Sequence, residues 1–202
     1  MADEDHLREP DKYIYSRGVF RDEAKAQFFA EKHARPLVDV TNEYVAGVMF
    51  AGSGEDISSL PHADYISGLV VSFTRTHFVI MDLVVCSELI DAATLLRKQF
   101  ELIARLEELS GAATLDHLLE KTPNLRALKT DLKKLYGEYS KIAHSSDPEP
   151  LGLLGTIEQP EGDYAPLYPI FSNNSYVALN HTVLCVMEYY LWAHPFALAH
   201  SA

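Results

Sequence analysis

The sequence predicts an all-α fold: one bundle of about five to six helices, with a short β-hairpin inserted before the last. Three observations carry that expectation. Apolar residues recur at helical spacing along most of the chain. Prolines and a Ser-Gly stop divide those runs into helix-sized pieces. Hydrophobic residues make up 48% of the 202, enough for one sizeable core. No internal repeat, low-complexity tract or linker appears, so residues 1–202 read as a single domain, with 1–14 as a flexible tail.

In chain order, 22–35 ("DEAKAQFFAEKHAR") reads as a helix, and Pro36 either kinks it or opens the next, which runs through Phe50. "AGSGEDISS" is a loop, and Pro61 suits the first turn of a long helix reaching about Cys86. A helix over 88–109 stops at Ser110-Gly111. "TLDHLLEK" forms a short helix broken by Pro123, and 125–145 forms another. Pro148 ends that one, because the residue before a proline avoids the helical region. Residues 148–172 then change character. Five prolines, with "LLGTIE" and "YAPLYPIF" around "QPEGD", give the pattern of a hairpin with edge-strand prolines, or of a loop insertion. A last helix covers about 174–193.

Residues 66–86 are apolar in nearly every direction and should form the central helix. The same stretch is apolar enough to suggest a membrane span. Arg75 and Asp82 near its middle would each cost roughly 2.5–3.5 kcal/mol in lipid, so a buried helix of a soluble, non-membrane bundle is expected. His77 lies in the stripe of Ile66, Val70, Phe73, Ile80 and Val84, which predicts a buried histidine with one hydrogen-bonded partner. Arg75 and Asp82 are placed for a buried polar pair, direct or through a neighbouring helix.

Lys and Arg number 17 against 29 Asp and Glu, a net charge of -12, a poor balance for coating nucleic acid. One segment departs from it: residues 121–141 hold Lys121, Arg126, Lys129, Lys133, Lys134 and Lys141 against Asp131 and Glu138. Cys86 and Cys185 sit in apolar runs, as packed thiols of a reduced cytoplasmic protein do. "MADEDHLREPDK" has no apolar stretch and is no signal peptide. No HExxH, paired ExxH or CxxC pair is present, so neither a metal nor a cofactor is expected. "GSGED" is not a phosphate loop, and no GxSxG elbow occurs.

Two helices carry the candidate chemistry. On 88–109, Arg97 and Glu101 flank an arc of Leu89, Ala92, Leu95, Leu96, Phe100, Ile103 and Leu106. They form either an ordinary i,i+4 pair or an arginine reaching into a cleft with Glu101 fixing its guanidinium. On 125–145, Leu128, Leu132, Leu135, Tyr136, Tyr139, Ile142 and Ala143 make one apolar arc. Arg126, Lys129, Lys133 and Lys141 line the other side as a basic ridge that ends at His144, with Ser140 one turn before it. A histidine beside cations can cleave RNA without metal, as general acid or base with the cation stabilising the phosphorane. The simpler role for His144 is to finish the helix, whose C-terminus favours a cation. On the last helix, His181 and Glu188 fall on one side near Trp192, which reads as a polar seam within the bundle.

"LLRKQFE" followed by "YGEYSKIAHSSD" resembles an uncharacterised bacterial helical-bundle family with an Arg-x3-Glu helix and a Tyr-x2-Ser-x3-His helix end. The matching positions are Arg97, Glu101, Tyr136 or Tyr139, Ser140 and His144, within roughly residues 62–147. The wider resemblance is to HEPN-type domains, small helical bundles of toxin–antitoxin and phage-defence systems. Active ribonucleases of that type carry Arg-x4–6-His, often completed across a dimer. Here Tyr139, Glu138 and Gly137 stand five to seven residues before His144, with no arginine among them. The resemblance is then to a scaffold that binds a partner or nucleotide without cleaving, and the helices at 66–86 and 176–193, apolar all round, point to a homodimer: a non-catalytic binding or dimerisation module in a regulatory or defence setting, with a protein partner. Its alternative is a metal-independent ribonuclease or nucleotide-processing enzyme. In that alternative His144, Arg97, Glu101, Ser140 and Lys141 are catalytic, and Arg126, Lys129, Lys133 and Tyr139 hold RNA or a nucleotide.

Overall fold

Pro10 opens the first helix, α1 (Glu9–Phe28), where its missing N–H costs nothing and Glu9 and Asp11 meet the positive end of the helix. The computed structural model describes residues 8–51, 60–111, 114–144, 149–155 and 165–200. Among these, α1 is followed by α2 (Ala34–Ala51), α3 (Ala63–Val85), α4 (Leu89–Ser110), α5 (Asp116–Leu119), α6 (Leu132–His144) and α7 (Asn174–His200). Short 3-10 turns cover Leu125–Ala127 and Glu149–Leu154.

Helix α4 is the hub, packing against α3, α6 and α7. Its predicted arc is buried at Leu89, Ala92, Leu96, Phe100, Ile103 and Leu106. Around it Phe73 of α3 stacks on Tyr189 of α7, with ring centroids 4.1 Å apart. Gln99, wholly buried, donates to the Phe73 carbonyl at 3.1 Å and so satisfies a polar group inside the core. Ser87, in the left-handed region at φ 58°, turns the chain from α3 into α4, and its hydroxyl meets that of Ser175 at 2.7 Å.

The sequence places α3 at the centre, but α4 holds that position: α3 buries Ile66, Phe73, His77, Ile80 and Val84 and leaves Val71, Arg75, Phe78, Val79 and Asp82 exposed. It is the one helix among the described residues long and apolar enough to cross a membrane by length and composition. His77 Nε2 lies 2.9 Å from Asn42 Oδ1 of α2, the single partner predicted for a buried histidine. The pairing of Arg75 with Asp82 is not found. Both are exposed, and Asp82 is instead taken by Arg21 of α1, which also pairs with Glu88 alongside Arg17. These ion pairs tie α1, which buries only Ala24 and Phe28, to the bundle.

Two architectural expectations are corrected. Seven α-helices occur among the described residues, not five to six, because 29–33 separate α1 from α2 and the four-residue α5 stands as a helix of its own; residues 9–14 belong to α1, while 1–7 of the expected tail lie outside the described residues. No strand of the expected β-hairpin occurs among the described residues. Glu149–Leu154 is a 3-10 turn and 165–173 holds no strand, while 156–164, with "QPEGD", lie outside the described residues. Pro166 and Pro169 withhold the N–H groups a ladder would need. Tyr168 between them stacks on Phe20 of α1 at 4.9 Å, so the segment folds onto a helix rather than onto itself. Helix α6 also begins later than predicted, at Leu132, and α7 continues through Pro195 to His200.

Burial lowers the His77 pKa from its ordinary 6.5 to about 4. The unfolded chain therefore binds a proton that the folded chain refuses between those values, and stability falls as pH drops through that window. The loss attributable to His77 is about 3 kcal/mol at the acid end. Urea denaturation at a series of pH values should show that slope reduced in His77→Gln. The remainder includes a contribution from His181, whose pKa burial also lowers.

Candidate functional site

Arg97 and Glu101, one turn apart on α4, pair at 3.0 Å, and both stay partly open to solvent, with side chains 24% and 30% exposed. The packing of α6 on α4 brings Tyr136 over them. Arg97 Nη2 and Nε donate to the Tyr136 hydroxyl at 3.0 and 3.3 Å, and that hydroxyl donates to Glu101 Oε1 at 2.6 Å. The guanidinium also lies 5.3 Å from the Tyr136 ring centroid. Partial burial, and then the bond to Glu101, push the Tyr136 phenol up from its ordinary value. Arg97 and Glu101 thus form the ordinary i,i+4 pair, and that pair borders a cleft.

That cleft is an open pocket of about 490 Å³, with Arg97, Glu101 and Tyr136 on one side and residues 122–126 on the other. The second wall has little regular structure and is held from below. Arg105, buried in α4, donates to the carbonyls of Leu118 (2.7 Å) and Lys121 and pairs with Glu108 at 3.3 Å. Glu108 in turn accepts the Asn124 N–H at 3.0 Å, and Asn124 Oδ1 accepts the Arg126 N–H at 3.1 Å. Further on, the fully buried carboxylate of Glu188 accepts the N–H groups of Lys129 and Thr130, the latter at 2.9 Å.

These anchors divide the predicted basic ridge. Arg126 sits in a 3-10 turn, and Lys129 in a connector where its Nζ pairs with Glu107 at 2.6 Å and donates to the Leu191 carbonyl at 3.0 Å. Only Lys133, Lys141 and His144 of that group belong to α6, and all three are exposed. His144 ends the helix eight residues beyond Tyr136, about 12 Å along the axis at 1.5 Å per residue. The structure brings Arg97, Glu101 and Arg126 to one pocket and leaves His144 and Lys141 on another stretch of surface. Ser140 is half-buried. Tyr139 is buried, its hydroxyl 2.6 Å from His181 Nδ1 and its pKa raised by burial, so it is a core residue rather than a binding one. Glu188 and His181 do lie on a polar seam, each facing its own partner.

Arg105, Glu107 and Glu108 had no assigned role in the sequence reading. One signal was available: Arg105 stands inside "LIARL", where every residue is buried. A charge set among helix residues of that kind must find partners.

Chemically, the pocket offers cationic donors. Arg97 Nη1 and the whole Arg126 guanidinium have no partner among the described residues, whereas Glu101 takes both Arg97 and Tyr136 on its Oε1. Two guanidinium groups beside one paired carboxylate leave the site net positive in a chain of net charge -12. Among the described residues, no three His, Cys, Asp or Glu side chains are grouped to hold a metal.

Replacing Glu188 by Ala removes the acceptor for two part-buried N–H groups, each costing up to about 1–3 kcal/mol when left unpaired. The expected loss of stability in urea denaturation is about 3 kcal/mol. Glu188→Gln, which keeps one good acceptor, should lose about half as much.

Comparison with protein-family models, with curated proteins and with solved structures yields no match. The HEPN resemblance thus stands on the quoted motif residues alone.

Proposed function

We propose that this chain is a non-catalytic, HEPN-like binding module that holds a small phosphate-bearing molecule, of mononucleotide size or less, in the pocket beside Arg97. The observation that carries this reading is Arg126: a guanidinium on the pocket wall with no partner among the described residues, lining a site whose other arginine is already oriented by Glu101 and Tyr136. Guanidinium groups bind phosphate through paired, charge-assisted hydrogen bonds, and about 490 Å³ lies within the range of small-molecule sites. A bacterial regulatory or defence setting follows from the motif resemblance. The two free, buried cysteines suit a reducing, cytoplasmic compartment.

The alternative reading, cleavage of RNA by His144, has one supporting observation: His144 and Lys141 are both exposed on the last turn of α6. Arg97, the arginine that reading would enlist, is bound to Glu101 and Tyr136 well along the helix, which favours the non-catalytic reading.

Calorimetric titration with a nucleoside monophosphate and with a sugar phosphate should show saturable binding that weakens with salt. Arg126→Ala and Arg97→Ala should each reduce affinity about tenfold or more, the cost of a lost charge-assisted hydrogen bond. Lys141→Ala should leave it unchanged. Absence of binding, or an Arg126→Ala variant that binds as well as the parent, contradicts the reading. RNA turnover that His144→Ala abolishes would establish the alternative.

A further inference from the structure

Helix α7 carries a feature the pocket does not use. Val177, Leu184, Met187, Leu191 and Leu198 are each between 39% and 67% exposed. With Asn180 and His194, also exposed, they advance by alternating steps of three and four residues along one face. That spacing is the knobs-into-holes seam of paired helices. The face runs from 177 to 198, about 32 Å at 1.5 Å per residue. A helix packed only as part of a monomer's core turns a polar face to water. This one does not: between Asn174 and His200 the single ionised side chain is Glu188, and it is buried.

We infer that this stripe is the surface through which two copies of the chain associate, α7 against α7 across a two-fold axis. Three considerations select a second copy. In an isologous pairing every position of the stripe meets another position of the same stripe, so a seam with regular three-four spacing complements itself. Charge agrees: two chains of net charge -12 repel over most of their surface, and the α7 face offers an approach with no ionised group exposed on the helix. The exposed face of α3 differs, since Arg75 and Asp82 interrupt its Val71, Phe78 and Val79. Area is consistent with a weak pairing. Even at an aromatic side chain's roughly 200 Å² each, the exposed fractions of the stripe and of adjoining Tyr190 amount to at most about 600 Å² per copy. The pair would bury up to about 1,200 Å², the low end of specific interfaces.

The test is sedimentation velocity on the full chain across a concentration series. A species of twice 22.6 kDa is expected, with a dissociation constant in the roughly micromolar range. Leu184→Glu combined with Met187→Glu should raise that constant at least about a hundredfold by placing like charges in the seam. Val71→Glu, on α3, should leave it unchanged. If the charged variant fails to fold by circular dichroism, Leu184→Gln with Met187→Gln gives the same reading, and His194→Leu should tighten the dimer. A wild-type monomer at the top of the series overturns the inference, as does a double variant that remains dimeric. A monomer that binds neutral phospholipid vesicles through this face, or one that pairs only with a different protein, also overturns it. None of these outcomes depends on phosphate binding, so the pocket and the interface stand or fall separately.

Discussion

The buried carboxylate of Glu188 accepts the backbone N–H groups of Lys129 and Thr130, and the geometry of the pocket depends on that contact. Between α4 and α6 the chain forms no helix longer than four residues, so it cannot satisfy its own polar groups by periodic bonding. Side chains rooted in the stable helices do it instead. Arg105 takes two carbonyls, Glu108 takes one N–H, and Glu188 takes two. Each of these charged groups is buried or nearly so, and removing one partner would leave another exposed to a low dielectric without compensation. The connector is therefore tied to the helices beneath it at five backbone groups: the carbonyls of Leu118 and Lys121 and the N–H groups of Asn124, Lys129 and Thr130.

That fixation also sorts the cations. If residues 125–145 formed one helix, Arg126, Lys129, Lys133 and Lys141 would share a face and end at His144. The Glu188 contact stops the helix short of Leu132, turns Lys129 toward Glu107, and leaves Arg126 opposite Arg97. The cationic site is consequently made between two helices and a loop, not along one helix. Glu101 has a second role there. By holding Arg97 through both the ion pair and Tyr136, it fixes the guanidinium before any ligand arrives, which reduces the ordering cost of binding.

Much of the fold was legible because it rests on local periodicity. The arc on α4 and the buried His77 of α3 follow from spacing that only one helical face can satisfy. Helix α1 was less so: it buries two side chains, and its ion pairs to Asp82 and Glu88 are distant in sequence. The prolines of 148–172 argued against a sheet as strongly as the alternating residues argued for one, and the Tyr168–Phe20 stack decided the matter. Arg97 and Glu101 could be read as an i,i+4 pair from their separation on α4, but the cleft beside them depends on the connector at 122–126, which that separation does not reveal. Tyr136 could not be separated from Tyr139, because both lie on the apolar arc and only tertiary packing turns one to Arg97 and the other to His181. The break before α6 was hidden for the same reason, since its cause lies on α7.

The most direct measurement follows the side-chain Nε–Hε resonances of Arg97 and Arg126 by NMR during titration with a nucleoside monophosphate. If the connector sets these two guanidinium groups around one ligand, both resonances shift together and saturate at the same concentration, while the signals of Lys141 and His144 stay in place. Shifts centred on Lys141 and His144, with Arg97 and Arg126 unmoved, would contradict the account.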